Sequence, residues 1–121
     1  MQEQETILRL AQLLYDRKAR DIVVLKVSHL TVLCDYMIIA TGRTANQVSA
    51  LADAVDERLA EESLRLRRSE GRNEGRWAVL DYGDIIIHLF HREERAFYGL
   101  DRLWSDGTNA VALPFDQSAG D

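Results

Sequence analysis

Residues 70–90, EGRNEGRWAVLDYGDIIIHLF, constrain this chain more than any other stretch. Trp77 to Leu80 is one apolar run, Asp81-Tyr82-Gly83-Asp84 a tight connection, and Ile85 to Phe90 a second apolar run. β-Branched and aromatic residues broken by one glycine-containing turn spell a β-hairpin. Alternation along the first strand puts Trp77, Val79 and Asp81 on one face. An aspartate does not belong in a dry core unless it is paired, so that face is expected to be open at one end. Trp77 therefore has two readings, core filler and binding anchor, and the pattern leaves both open.

Before the hairpin, Ile7, Leu8, Leu10, Ala11, Leu14 and Tyr15 form the stripe of an amphipathic helix over Thr6 to Tyr15. Arg17, Lys18 and Arg20 then place cations at its negative end, so the helix should close near Ala19. Ile22 to Val27 and Tyr36 to Ala40 are apolar runs of strand length, both predicted as inner strands covered on two faces. Between them Leu30, Val32 and Leu33 suggest a partly packed connection. Thr44 and Gln47 match a capping box, and a helix is predicted from there to about Glu62, with Val48, Leu51, Ala52, Val55 and Leu59 as its buried stripe. Thr41-Gly42-Arg43-Thr44 at that helix start can also hold an anion, but one glycine is not a phosphate loop, and capping is the simpler reading.

Leu64 to Ser69 alternates as a half-exposed edge strand does. After the hairpin, Phe97, Leu100 and Trp104, with Leu103 beside them, predict a helix or two helical turns broken at Gly99. Beyond Ser105 periodicity is lost. Residues 1–105 are expected to form a single α/β domain, a mixed sheet of about five strands with flanking helices, and residues 106–121 a flexible tail. The segment after Tyr36 is long enough for a helical crossover, so some strands should be parallel.

At 121 residues with 46% hydrophobic and 29% charged content, the chain has the composition of one soluble domain. No apolar run approaches the roughly 18 residues a membrane span needs, and the acidic start, Met1 to Glu5, lacks export or organelle signals. A cytoplasmic protein is expected. The lone Cys34 excludes an intrachain disulfide and a CxxC pair, and reads as a small buried hydrophobe rather than a reactive thiol. A net charge of −5 argues against a free-standing nucleic-acid binder and fits a basic protein partner. The arginines at 65, 67, 68, 72 and 76 leave room for a local phosphate contact, although solvated surface charge accounts for them.

No arrangement demands an active site. His88 and His91 point to opposite faces of a strand and cannot share a metal, and His29 has no ligand-type neighbour in sequence. Asp81 and Asp84 bracket a turn, where aspartate commonly bonds its own backbone. Neither metal nor cofactor is called for.

Four separated motifs carry more. Asp35-Tyr36-Met37-Ile38-Ile39-Ala40-Thr41-Gly42, Glu70-Gly71 ahead of Trp77, Leu80 to Phe90 (LDYGDIIIHLF), and Arg95 to Trp104 (RAFYGLDRLW) together resemble the ribosomal silencing factor family, also called the Iojap family. The resemblance runs from about Thr6 to Trp104. It departs at Met37, where an aromatic is usual, at Lys26, often acidic, and beyond Ser105. It implies a nucleotidyltransferase-like fold without transferase activity, consistent with the absence of a Gly-Ser followed by an Asp-x-Asp pair. It also implies a translational repressor that binds the large ribosomal subunit at its fourteenth ribosomal protein and sterically blocks joining of the small subunit. Family members can also self-associate, which implies a homodimer as a second partner. On that reading Trp77 and Tyr82 are aromatic anchors, Asp81 and Asp84 pair with basic side chains, and His88 and Tyr98 join the partner surface. The rival class is a nucleotide-binding or nucleotidyltransferase-like enzyme using Thr41 to Thr44 and the two aspartates.

Overall fold

Five strands form one mixed sheet in the order β1-β2-β5-β4-β3: β1 (Arg20–Lys26), β2 (Tyr36–Gly42), β3 (Arg68–Glu70), β4 (Trp77–Asp81) and β5 (Ile85–His91). The computed structural model describes residues 2–117; Met1 and the end of the expected tail, 118–121, lie outside the described residues. β2 and β5 run parallel in the register Tyr36↔Ile85 to Gly42↔His91, and every residue of β2 is buried. The other pairings, β1 with β2, β4 with β5 and β3 with β4, are antiparallel. The α/β class, the strand count and the hairpin agree with the sequence reading.

Helices α1 (Gln2–Asp16) and α2 (Ala45–Glu61) cover one face of the sheet. Their stripes, Ile7, Leu10, Ala11 and Leu14 on α1 and Val48, Leu51, Ala52, Val55 and Leu59 on α2, meet Ile38, Leu80, Ile87 and Leu89 in the main core. Thr44 caps α2 by accepting from the Gln47 N–H at 3.0 Å. Gln47 returns its carbonyl oxygen to the N–H of Arg43 rather than to that of Thr44, at 2.6 Å, and its amide nitrogen donates to the carbonyls of Arg17 and Lys18. The capping pair therefore also ties the start of α2 to the chain leaving α1.

The opposite face carries a smaller cluster of Leu25, Val27, Cys34, Met37, Ile39 and Phe90. Two short helices, α3 (Arg92–Tyr98) and α4 (Leu100–Trp104), flank it, and Leu100 and Trp104 pack against it. Burial pushes the Cys34 thiol up to about 11, which keeps it protonated near neutrality.

Three expectations need correction. β1 is an edge strand of the sheet, not an inner one, and its free edge is covered by chain from the far end of the sequence. The Lys26 N–H donates to the Asn109 carbonyl, the Val111 N–H donates to the Val24 carbonyl, and Leu25 bridges Ala110. The segment expected to be a flexible tail is thus docked from 109 to 117. Gln117 behaves as a peptide group there, donating to the Ile22 carbonyl and accepting from the Ile22 N–H, while Phe115 stacks on Tyr15 at 4.3 Å. The third concerns β3, which starts at Arg68 rather than Leu64, because the left-handed Ser63 and the bond from the Leu64 N–H to the Leu59 carbonyl first turn the chain off α2.

Asn109 is buried and its amide donates to the carbonyls of Lys26 and Trp104 while accepting from the Asp106 N–H. Asn109→Ala strands these backbone groups and is expected to cost roughly 2–3 kcal/mol, from about 1–3 kcal/mol per buried group left without a partner. Urea unfolding measures it; an unchanged midpoint would mean that the segment contributes nothing to the fold.

Candidate functional site

Trp77 lies on the sheet face that α1 and α2 do not cover. It is half-buried, stacks on Phe90 across the β4–β5 pair at 4.9 Å, and meets the half-exposed Tyr98 of α3 at 4.6 Å. Its indole N–H donates to Nδ1 of His88 at 3.1 Å. Val79 and Asp81, on the same face of β4, are also only partly buried, whereas the intervening Ala78 and Leu80 are core. The face predicted from alternation to be open at one end is therefore partly exposed, and Trp77 packs on the minor cluster while the residue stays accessible.

The six sequence-predicted residues do not form one patch. Trp77, His88 and Tyr98 come together. Asp81 and Asp84 lie at the other end of the hairpin, where Asp81 Oδ1 accepts from the Gly83 N–H at 2.8 Å and Asp84 is exposed. The turn reading of Asp81 is correct. Tyr82 is a correction: it is only 7% exposed, belongs to the main core, and donates its hydroxyl to Asp56 of α2 at 3.0 Å. Burial together with that hydrogen bond raises its pKa. The turn directs this ring to the opposite side of the sheet from Trp77, away from the aromatic face.

His88 also differs from the expectation of a surface contact. It is buried beneath Trp77, and burial holds its pKa down at about 4, so the imidazole is neutral at pH 7. Because Nδ1 accepts the indole proton, the single ring proton sits on Nε2, a buried atom with no hydrogen-bond partner among the described residues. His88 positions the Trp77 ring.

Phe97 extends the patch, and further apolar side chains are exposed on α4 and in the connection between β1 and β2. Phe97 is 80% exposed and meets Tyr98 edge-on at 5.0 Å; Leu103, Leu33 and Val32 are exposed as well. Phe97 and Leu103 were expected on a helix or two helical turns broken at Gly99, and Leu30, Val32 and Leu33 in a partly packed connection. Gly99 is left-handed and divides α3 from α4, so the phase of Phe97 is not carried to Leu100 and Trp104. His91, Glu93 and Glu94 bring ligand-type atoms within 4.8 Å of one another, a grouping absent from the sequence reading. Local bonds already engage this group, since His91 Nδ1 accepts from the Glu93 N–H and Glu94 pairs with Arg76 at 2.8 Å.

A family model described as "Ribosomal silencing factor during starvation" matches residues 1–120. The chain belongs to the ribosomal silencing factor family. The silencing factor of Bacillus subtilis is 35% identical over 104 residues, covering 85% of this chain and 88% of that protein. That of Chromobacterium violaceum is 38% identical over 113 residues, covering 93% of each. The crystal structure of a C. violaceum protein superposes with a TM-score of 0.81 at 35% identity, covering 99% of this chain and 98% of that one. A structure from Bacillus halodurans gives 0.77 at 33% identity, covering 90% and 99%. The family expected from the four motifs is the one shown, and the expected fold class agrees with both structures.

In this silencing factor family member, the His88 arrangement has a measurable signature. Long-range 15N–1H spectra at pH 7 should show the Nε2–H tautomer, with protonation delayed to about pH 4. The folded pKa lies below the usual 6.5, so the stability due to neutral His88 is fully present above about pH 6.5 and is lost as pH falls toward about 4. An imidazole that titrates near its ordinary value would show that the ring is solvated and does not hold Trp77.

Proposed function

We propose that this chain is a translational repressor that docks its aromatic face on the large ribosomal subunit, through the fourteenth ribosomal protein, and blocks small-subunit joining. The observation that carries the proposal is the Trp77–Tyr98 pair, half-open on an uncovered sheet face, with the exposed Phe97 edge-on to Tyr98. Aromatic side chains with one face packed and one face free lose little conformational freedom on docking, and such residues dominate interface energies. The names of the relatives, silencing factors, supply the biological context.

The mechanism is steric and needs no chemistry from the chain. Two rigid bodies cannot share one surface, so inhibition follows occupancy. Asp81 and Asp84, with Asp35 beside Asp84 through the bond from the Asp35 N–H to the Asp84 carbonyl, place three carboxylates at the turn end, where the Arg67 guanidinium lies against Gly83. That end orients the domain toward a basic ribosomal protein and raises its on-rate. Such a factor works in the cytoplasm, where ribosomal subunits meet. A second copy can cover the same apolar face, in which case homodimer and ribosome complex compete.

Trp77→Ala and Tyr98→Ala should each weaken co-sedimentation with purified large subunits by about 30-fold, the loss of a hot spot of ~2 kcal/mol, with an unchanged circular dichroism spectrum. Tyr82→Phe should bind like the parent protein and lose only stability. Wild-type binding by a folded Trp77→Ala protein would remove the aromatic face as the docking surface.

A further inference from the structure

The parallel strands β2 and β5 are neighbours, yet the chain leaves them toward opposite faces of the sheet. After β2 it enters α2, which packs in the main core; after β5 it enters α3, whose Tyr98 packs on the aromatic face. Divergent connections of this kind open a crevice beyond the carboxyl ends of the strands, the usual ligand position in open α/β sheets. Here the crevice is a cavity of about 520 Å³ lined by Arg20, Asp21, Thr41, Gly42, Arg43 and Arg92. A second cavity of about 290 Å³ shares Arg20 and Arg43 with it and adds Lys18 and Asp16. Four cations thus line the two cavities against two carboxylates, in a chain whose net charge is −5.

We propose that this crevice binds consecutive phosphoryl groups, presented by a nucleoside polyphosphate or by an RNA strand. Three features support phosphate as the ligand chemistry. Arg43 and Arg92 are exposed and take part in no ion pair among the described residues, whereas Arg95, on the same helix as Arg92, is paired with Asp101. Thr41 is only 5% exposed, and its oxygen accepts from Arg95 at 2.9 Å. A guanidinium has no acceptor, so the Thr41 hydroxyl proton is not spent on Arg95, and it meets no other acceptor among the described residues. A phosphate oxygen in the cavity supplies that acceptor while the flanking guanidiniums neutralise its charge.

The helix start is not the basis of the site. The N–H groups of Arg43, Gln47 and Val48 already have partners, and Gly42 is required by Val48, whose Cγ2 would lie 2.8 Å from any Cβ placed there. The walls offer no free aromatic ring either, since Tyr15 is stacked on Phe115. Recognition therefore falls on the phosphate chain rather than on a base. The inference is independent of the aromatic face, and it enlarges the nucleic-acid expectation drawn from net charge: the acidic total conceals a local cationic end.

The test is calorimetric titration with inorganic tripolyphosphate at low salt, with amide shifts as a second readout. The parent protein should bind, with shifts centred on residues 41–43 and 91–92. Arg43→Gln with Arg92→Gln should weaken binding at least tenfold and Thr41→Val several-fold. The charge-matched pair Arg65→Gln with Arg68→Gln should leave it unchanged. Equal loss in both double variants, or no binding at millimolar tripolyphosphate, would overturn the proposal. Titrations with ATP and with a short RNA strand identify the source: tighter ATP binding points to a free nucleotide, tighter RNA binding with a steep salt dependence to a strand. Trp77→Ala should bind tripolyphosphate normally, so failure of the docking surface and failure of the crevice give different results.

Discussion

The fold depends on the parallel contact between β2 and β5. β2 has neighbours on both edges and layers on both faces, and all seven of its residues are buried. Parallel pairing cannot be made by a tight turn, so α2 and the β3–β4 excursion must be complete before β5 can return beside β2. That requirement sets the order of everything else. It places the hairpin turn with Asp35 at one end of the sheet, and Arg43, Arg92 and the start of α2 at the other.

The two faces then diverge in character. The face under α1 and α2 is closed by long amphipathic stripes, and even the Tyr82 hydroxyl on that side is satisfied by Asp56. The other face has only short helices, too brief to cover β4, and leaves aromatic rings on the rim. A buried neutral histidine there does structural work usually done by aliphatic packing, holding an indole by its one polar atom. The functional reading rests on this inequality between faces: a domain that covered both equally would have nothing apolar to offer a partner.

Much of this was legible in the chain because the signals are local. The hairpin follows from Gly83 and two β-branched runs, and α2 follows from Thr44, Gln47 and a stripe with helical spacing. What sequence patterning missed is non-local. β1 looks like an inner strand because its outer edge is protected by Asn109 and Gln117, polar residues that act through side-chain amides and leave no periodic trace. Tyr82 sits in a turn, where exposure is the ordinary expectation, and its burial depends on Asp56, 26 residues earlier. Phe97 has helical spacing to Leu100 and Trp104, and the expected break at Gly99 is present, but the spacing does not show that its ring is left exposed. The cationic crevice gathers Arg20, Arg43 and Arg92 from three distant segments, and no window of sequence contains them together.

The chain has two tryptophans, and both belong to the aromatic side of the sheet: Trp77 and Trp104 pack against the same minor cluster. The main core contains no indole among the described residues. Ultraviolet emission from this protein is consequently a one-sided observer. It registers solvent exclusion or disturbance at the aromatic face and is nearly blind to the layer beneath α1 and α2, so the molecule carries its own optical label on one face alone.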